Sequence, residues 1–361
     1  MRRTLLAAVA ALTWIGIAAG PASAHSVSGQ SATNLQTNLR SVTPTVPGLT
    51  VKVVESGSRM ELTNRTGQEV IVLGYKNEPY LRVGPDGVFQ NRLSPATYIN
   101  KSREGEEPPE AATKAQVGET DWEKISSDPV ARWHDHRIHW MAPNDPPAAR
   151  AEPGKRHVIT AEWVVPLKFG AQTIAVKGDL VWEPGPSALP WYLLIAVLIA
   201  AVVLVGRGAG WAGGLAAVTG GLLAIDVFHI LGLGLANAGD LGYQLGEALS
   251  GSPFAVVGWV VGLLAIVWLL RRGSDGLPLA ALAGLEIALI GGVSDINALS
   301  RSEVPFGFGA GLARFAVAAS IGIGFGLAIA AALRLGGVFG PVRTARASAA
   351  RDEALAAPAG S

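Results

Sequence analysis

Short runs of alternating apolar and polar residues fill the first half of the chain, and long unbroken apolar runs fill much of the second. Leu49–Glu55, Met60–Asn64 and Glu69–Tyr75 are rich in Val and Leu, and Ser56-Gly57-Ser58 and Arg65-Thr66-Gly67-Gln68 separate them. That is the pattern of strands joined by turns. Tyr80–Val83 and Val88–Arg92 flank Gly84-Pro85-Asp86-Gly87 and predict a hairpin. His157–Phe169 and Thr173–Trp182 predict two more strands around Gly170-Ala171-Gln172. Residues 26–48 read as extended or loose, and the Glu- and Pro-rich stretch 101–120 reads as a solvated loop. Repeated short strands with turn signals predict an antiparallel β-sandwich, Ig-like or cupredoxin-like, over 25–184.

From residue 185 the pattern changes. Five apolar segments, about 189–206, 211–235, 253–270, 277–299 and 312–335, are each near the ~20 residues that a helix needs to cross a bilayer. They predict a five-helix transmembrane domain over 185–335, followed by a disordered tail over 336–361. Arg207, Arg271-Arg272, Arg334, Arg343, Arg346 and Arg351 fall on one side of these segments, whereas the loops 236–251 and 300–311 carry only Arg301. The excess of Arg in cytoplasmic loops places that first side, with the tail, in the cytoplasm. Residues 1–24 point the same way. Arg2 and Arg3, the apolar Leu5–Ala19 and the small residues Ala22-Ser23-Ala24 form the three parts of a secretory signal. The expected location is the plasma membrane, with the β domain extracytoplasmic and the lipid bilayer as partner.

Charge and composition narrow the function. A net charge of +1 gives no basic face for nucleic acid. With no cysteine, disulfides, thiolate metal sites and thiol catalysis are excluded, and His, Asp, Glu, Met and the backbone remain as ligands. No Ser/His/Asp triad, P-loop or dinucleotide fingerprint is present, so an enzyme is the less favoured reading.

Three of the six histidines fall within Trp133-His134-Asp135-His136-Arg137-Ile138-His139-Trp140. As a strand, this stretch would put His134 and His136 on one face and His139 on the other. As a helix it would pair His136 with His139, and Asp135 and the Pro-rich sequel also allow a loop. The cluster has a bland reading, hydrogen-bonded side chains packed by two tryptophans, and a functional one, a metal site. Cleavage after Ala24 would make His25 the first residue, and its α-amine and Nδ1 could then chelate one ion. Further imidazoles would complete a nitrogen-rich set suited to Cu(II).

A mature N-terminal His with a distant His-x-His in a β-sandwich resembles the histidine-brace copper proteins. Two families share it: the periplasmic copper-resistance protein C type, and the B subunit of particulate methane and ammonia monooxygenases. The resemblance covers a few residues and the layout. Its implied ligands are His25, His134 and His136, with His139 in support; its implied cofactor is copper, and its implied partners are other copper-handling envelope proteins. The chain departs from the pattern in having five apolar segments, unlike the two usual for that subunit, and no Met-rich copper motif. The rest resembles actinobacterial membrane proteins in its Ala/Gly/Arg-rich style. The resemblance implies copper binding, delivery or transport. A non-catalytic envelope scaffold anchored by the bundle is the alternative, and a copper-dependent oxidase the third reading.

A second candidate lies within the apolar segments. Asp226 and His229, three residues apart, share one helix face; Glu286 and Asp295 lie in the fourth segment, and Arg314 begins the fifth. Ionisable groups in a bilayer cost several kcal/mol unless paired or hydrated, so these face a bundle interior. As structural glue, Asp295 would pair with Arg314 and Asp226 with His229. As a functional cluster they would bind or pass a cation or proton.

Overall fold

A computed structural model describes residues 30–102 and 105–339. The signal segment, His25 and the tail from residue 340 lie outside the described residues. The chain divides into a β unit, Ala32–Gly185 with Arg301–Pro305, and a helical unit formed by Pro186–Ser300 and the chain from Phe306 on.

The β unit is antiparallel throughout. Its ten strands are β1 (Leu35–Thr43), β2 (Leu49–Val54), β3 (Arg59–Asn64), β4 (Val70–Leu73), β5 (Pro79–Gly84), β6 (Gly87–Asn91), β7 (Trp122–Ser126), β8 (Val130–His134), β9 (His157–Phe169) and β10 (Gln172–Trp182). Seven form one sheet in the order β1-β10-β9-β4-β5-β6-β7, and β2-β3-β8 form the other. Period-two alternation decides which residues turn inward. Met60 and Leu62 from β3, Trp163, Val165 and Leu167 from β9, and Ile174 and Val176 from β10 are all buried. They meet in a single apolar core to which both sheets contribute. Three short helices, α1 (Pro95–Ile99), α2 (Glu110–Lys114) and α3 (Pro147–Ala151), lie in the connections. Within the stretch expected to be extended or loose, residues 35–43 form the regular strand β1. The segment Arg301–Pro305 was expected as a plain loop between membrane segments, yet it belongs to the β unit. Thr33 and Glu303 exchange backbone hydrogen bonds of 2.9 Å, Gln36 Nε2 donates to Glu303 Oε1, and Ser302 N donates to Asn34 Oδ1. Partial burial raises the Glu303 carboxyl above its ordinary pKa, against the bond from Gln36.

The helical unit contains α4 (Leu189–Arg207), α5 (Trp211–Leu235), α6 (Leu241–Ser250), α7 (Pro253–Arg272), α8 (Leu277–Glu286) and α9 (Ala310–Leu335). Proline sits in the first turn of α4, α7 and α8, where its missing N–H costs nothing. Gly273, at φ +56°, ends α7. Among the described residues, four helical runs are long and apolar enough to cross a membrane: Leu189–Arg207, Trp211–Leu235, Pro253–Leu299 and Ala310–Leu335. The expected loop 236–251 holds α6, capped by the Asp240 side chain accepting from Tyr243 N.

The most enclosed of these runs is α9, which packs on α4, α5 and α8. Its Ala- and Gly-rich surface permits this. Where α8 and α9 cross, a Cβ on Gly324 would lie 2.3 Å from Gly284 O, so the two backbones are in direct contact. Arg334, near the end of α9, donates to the carbonyls of Gly206, Arg207 and Gly208 at 2.6–3.1 Å, satisfying acceptors left over at the end of α4.

The segment 277–299 is not a continuous α-helix. After α8 the chain winds as a π-helix over Ile287–Gly292 and as a 3-10 helix over Val293–Leu299. Ser294 Oγ donates back to Ile290 O, and Asp295 leaves helical geometry at φ −103°, ψ 15°. Ser, Asp and Asn compete with the helical ladder for backbone groups, and Gly291-Gly292 remove the side chains that stiffen it.

Candidate functional site

The change of helix type brings carboxylates to one place. Asp226 and His229 on α5, Glu286 at the end of α8, and Asp295 in the 3-10 segment line a common cavity with Ser252, which precedes α7. The cavity has room on the order of one water molecule. Asp226 and His229 are buried, at 1% and 2% exposure. Their partners differ from those expected. Asp226 Oδ2 accepts a 2.7 Å bond from Trp259 Nε1 on α7, rather than pairing with His229. His229 Nε2 stands 3.5 Å from Asp295 Oδ2. Arg314, expected to pair with Asp295, has its Nε on Ala298 O at 3.1 Å, at the end of the 3-10 segment.

Two glycines make room for the acids. A Cβ on Gly258 of α7 would lie 1.9 Å from Glu286 Oε2, and one on Gly291 would lie 2.6 Å from Asp226 Oδ1. Glu286 Oε2 and Ser252 Oγ are enclosed without a hydrogen-bond partner. Beside the cavity, the Phe306 ring lies 6.0 Å from that of His229, and its Cε2 would be 2.1 Å from a Cβ on Gly232. Trp259, Ser252, Gly258 and Gly291 were not legible as site residues, because each sits in or beside an apolar run with nothing in its spacing to mark it.

The histidine stretch of the β unit is built differently. Strand β8 ends at His134, and residues 135–140 form turns, so the strand reading covers only its first two residues. His134 Nδ1 contacts Ser58 O at 2.9 Å, and Arg59 Nε donates to His134 Nε2 at 3.4 Å. A neutral ring that donates from Nδ1 and accepts at Nε2 satisfies both bonds. His136 Nε2 contacts Ser102 O at 3.0 Å. The His139 ring lies 6.3 Å from that of His134 and 5.4 Å from that of His136, so the three imidazoles are neighbours.

Asp135 anchors this turn. It is fully buried, accepts from Trp133 Nε1 at 3.0 Å, and holds Arg137 through bonds of 2.8 and 2.7 Å. Burial works against the charge of Arg137, but the bonds and charge of Asp135 outweigh it, so the pKa of the guanidinium is raised. Desolvation, reinforced by the negative charge of Asp135, pushes the phenols of Tyr75 and Tyr80 above their ordinary range. Tyr75 in turn bonds Asn100 and accepts from His136 N.

Among the described residues, no group of three or more His, Asp or Glu side chains is placed to hold a metal ion. Compared with protein-family models, curated proteins and solved structures, the chain matches none.

Proposed function

We propose that this chain is an integral membrane protein that binds and moves a cation through its helical bundle, at the cavity lined by Asp226, His229, Glu286 and Asp295. In this reading Pro253–Leu299 folds back at Gly273 and crosses twice, making five spans, since a straight helix of that length would exceed the ~30 Å hydrocarbon core about twofold. The β domain is a sandwich of the two sheets and lies outside, and the Arg-rich ends lie in the cytoplasm. One observation carries the proposal: three carboxylates and an imidazole, from three separate segments, line one enclosed space within runs apolar enough to span a bilayer. Buried ionisable groups are expensive in a membrane and are characteristic of ion pathways. Reconstituted on a solid-supported bilayer, the full chain should give transient charge movements whatever cation carries them, and Asp226→Asn should abolish them. A folded protein that moves no charge would refute this reading.

The nearness of three imidazoles in the β domain favours a second reading, copper handling through His25, His134, His136 and His139, either feeding the bundle or as a separate copper-dependent oxidase. Copper at His134 would displace Ser58 O or Arg59 from its ring. A protein starting at His25 should then bind one Cu(II), and one extra residue before His25 should weaken binding about tenfold or more by blocking the amine. Arg59→Ala should tighten it. Isothermal titration that finds the same affinity in all three forms would remove the brace.

A further inference from the structure

We infer that the cation handled by this site is the proton, carried by a relay running from Asp295 through His229 and Asp226 to Glu286. This rests on the bundle-site reading above and names its cargo.

Four features of the cavity point this way. First, every ionisable side chain on its wall is one that exchanges protons readily: α5 gives Asp226 and His229, α8 gives Glu286, and the 3-10 segment gives Asp295. On α7 the neighbour is the neutral Trp259, and on α9 Arg314 is engaged by Ala298 O. Second, three of these donors never converge closely enough to replace the hydration shell of a metal ion. Third, the space suits about one water, which needs two to four polar partners, and no hydrated metal ion would fit. Fourth, the wall supplies those partners. Ser252, 3% exposed, has an unpartnered Oγ, and Glu286 Oε2 is likewise enclosed and unpartnered. Proton transfer across the cavity needs such a bridge.

The relay leads from Asp295, whose side chain is 26% exposed, inwards to His229, at 3%; run in the opposite direction it uses the same groups. Asp295 gives a proton to His229 Nε2, and the imidazolium releases one from its other nitrogen into the cavity that both side chains line, where water hands one to Asp226. Protonated Asp226 gives its proton to the cavity water, which passes one to Glu286. At each step one O–H or N–H bond breaks as another forms, and no electrons move. The gap of 3.5 Å between His229 and Asp295 is long for a hydrogen bond, so a small approach of the 3-10 segment sets the first transfer. Trp259 keeps Asp226 in place while it exchanges.

The test is proton uptake into liposomes holding the full chain, read by an entrapped pH-sensitive dye under a potassium diffusion potential. The same vesicles are assayed in parallel for Zn2+ and Cu2+ uptake with a metal-sensitive dye. Uptake of protons that falls about tenfold or more in Glu286→Gln and in Ser252→Ala, but stays at the wild-type rate in the exposed Asp275→Asn, supports the relay. Melting curves confirm that each variant is folded. Metal uptake that depends on Glu286, without proton uptake, overturns the proton inference and leaves the bundle site standing. Proton uptake indifferent to both substitutions overturns the relay. Folded protein that carries neither protons nor metal ions overturns both.

Discussion

Replacing Asp135 with Ala is expected to destabilise the β unit by about 3–5 kcal/mol, the cost of stranding the partner of a buried ion pair. Asp135 is completely enclosed and its two oxygens satisfy three different groups: the indole of Trp133, the backbone N–H of Arg137 and the guanidinium of Arg137. Arg137 keeps contacts with the carbonyls of Leu73 and Gly74 and with the face of Tyr75, but these do not neutralise its charge. Its side chain is 17% exposed, so water reaches it only in part. In a unit of this size the loss corresponds to a melting point lower by about 10 °C. Loss of the β-sheet circular dichroism signal on heating the full chain in detergent measures it. Asp135→Asn keeps an acceptor for Trp133 and should fall between the two. A further Arg137→Leu in the Ala background should recover part of the loss, because it removes the stranded cation. A melting point within 2 °C of wild type in Asp135→Ala would show that the turn does not depend on this carboxylate. Because the turn carries His136 and His139, the same variant also separates their two readings. Copper binding that vanishes with Asp135, and returns when the fold is restored, belongs to a site that this turn presents.

The histidine stretch shows where sequence reading stops. Three imidazoles within eight residues were legible, and so was their division between packing and metal binding. What the strand pattern lacked was the point at which β8 ends. Beyond His134 the backbone turns around buried Asp135, and the ring of His139 comes round towards those of His134 and His136 instead of facing away. A carboxylate between two histidines looks like a solvated residue, and only the core around it reveals an anchor. The long hairpin β9–β10 was legible because Trp163, Val165 and Leu167 alternate with polar or exposed positions and face a sealed core. Strands β1 and β7 form the two edges of their sheet, where half-exposure blurs the alternation. In the helical unit, the apolar runs marked where the chain can span, but not how 277–299 is wound. Its Ser294, Asp295 and Asn297 were visible as polar residues, yet their effect on the helix depends on local bonds. Spacing on one helix also put Asp226 and His229 on a shared face, and so suggested them as each other's partners. Their actual partners, Trp259 and Asp295, come from other segments and are chosen by packing.

Two glycines of the bundle should respond in opposite ways to the same substitution. Gly258→Ala is expected to lower charge movement about tenfold or more while changing stability by less than about 1 kcal/mol. Its new Cβ would lie 1.9 Å from Glu286 Oε2, a contact that no real pair of atoms tolerates, but the atom it meets is the end of a flexible side chain. The carboxylate swings away, the helices stay in place, and the cavity loses one of the groups that would hold water. Gly324→Ala meets a different neighbour. Its Cβ would lie 2.3 Å from Gly284 O, 2.8 Å from Ala288 Cβ and 3.2 Å from Ala288 N, so two backbones must separate. That strain should cost about 1–3 kcal/mol or more, and it should appear as a lower melting point in detergent and weaker resistance to proteolysis. The pair forms a control for the bundle site, because each variant adds one methyl group to the same domain. If charge movement tracks only stability, Gly324→Ala will be the more impaired and Gly258→Ala near normal. If it depends on where the Glu286 carboxylate points, Gly258→Ala will be folded and silent. Only the second outcome is consistent with a relay ending on Glu286, and adding Glu286→Gln to Gly258→Ala should then cause no further loss.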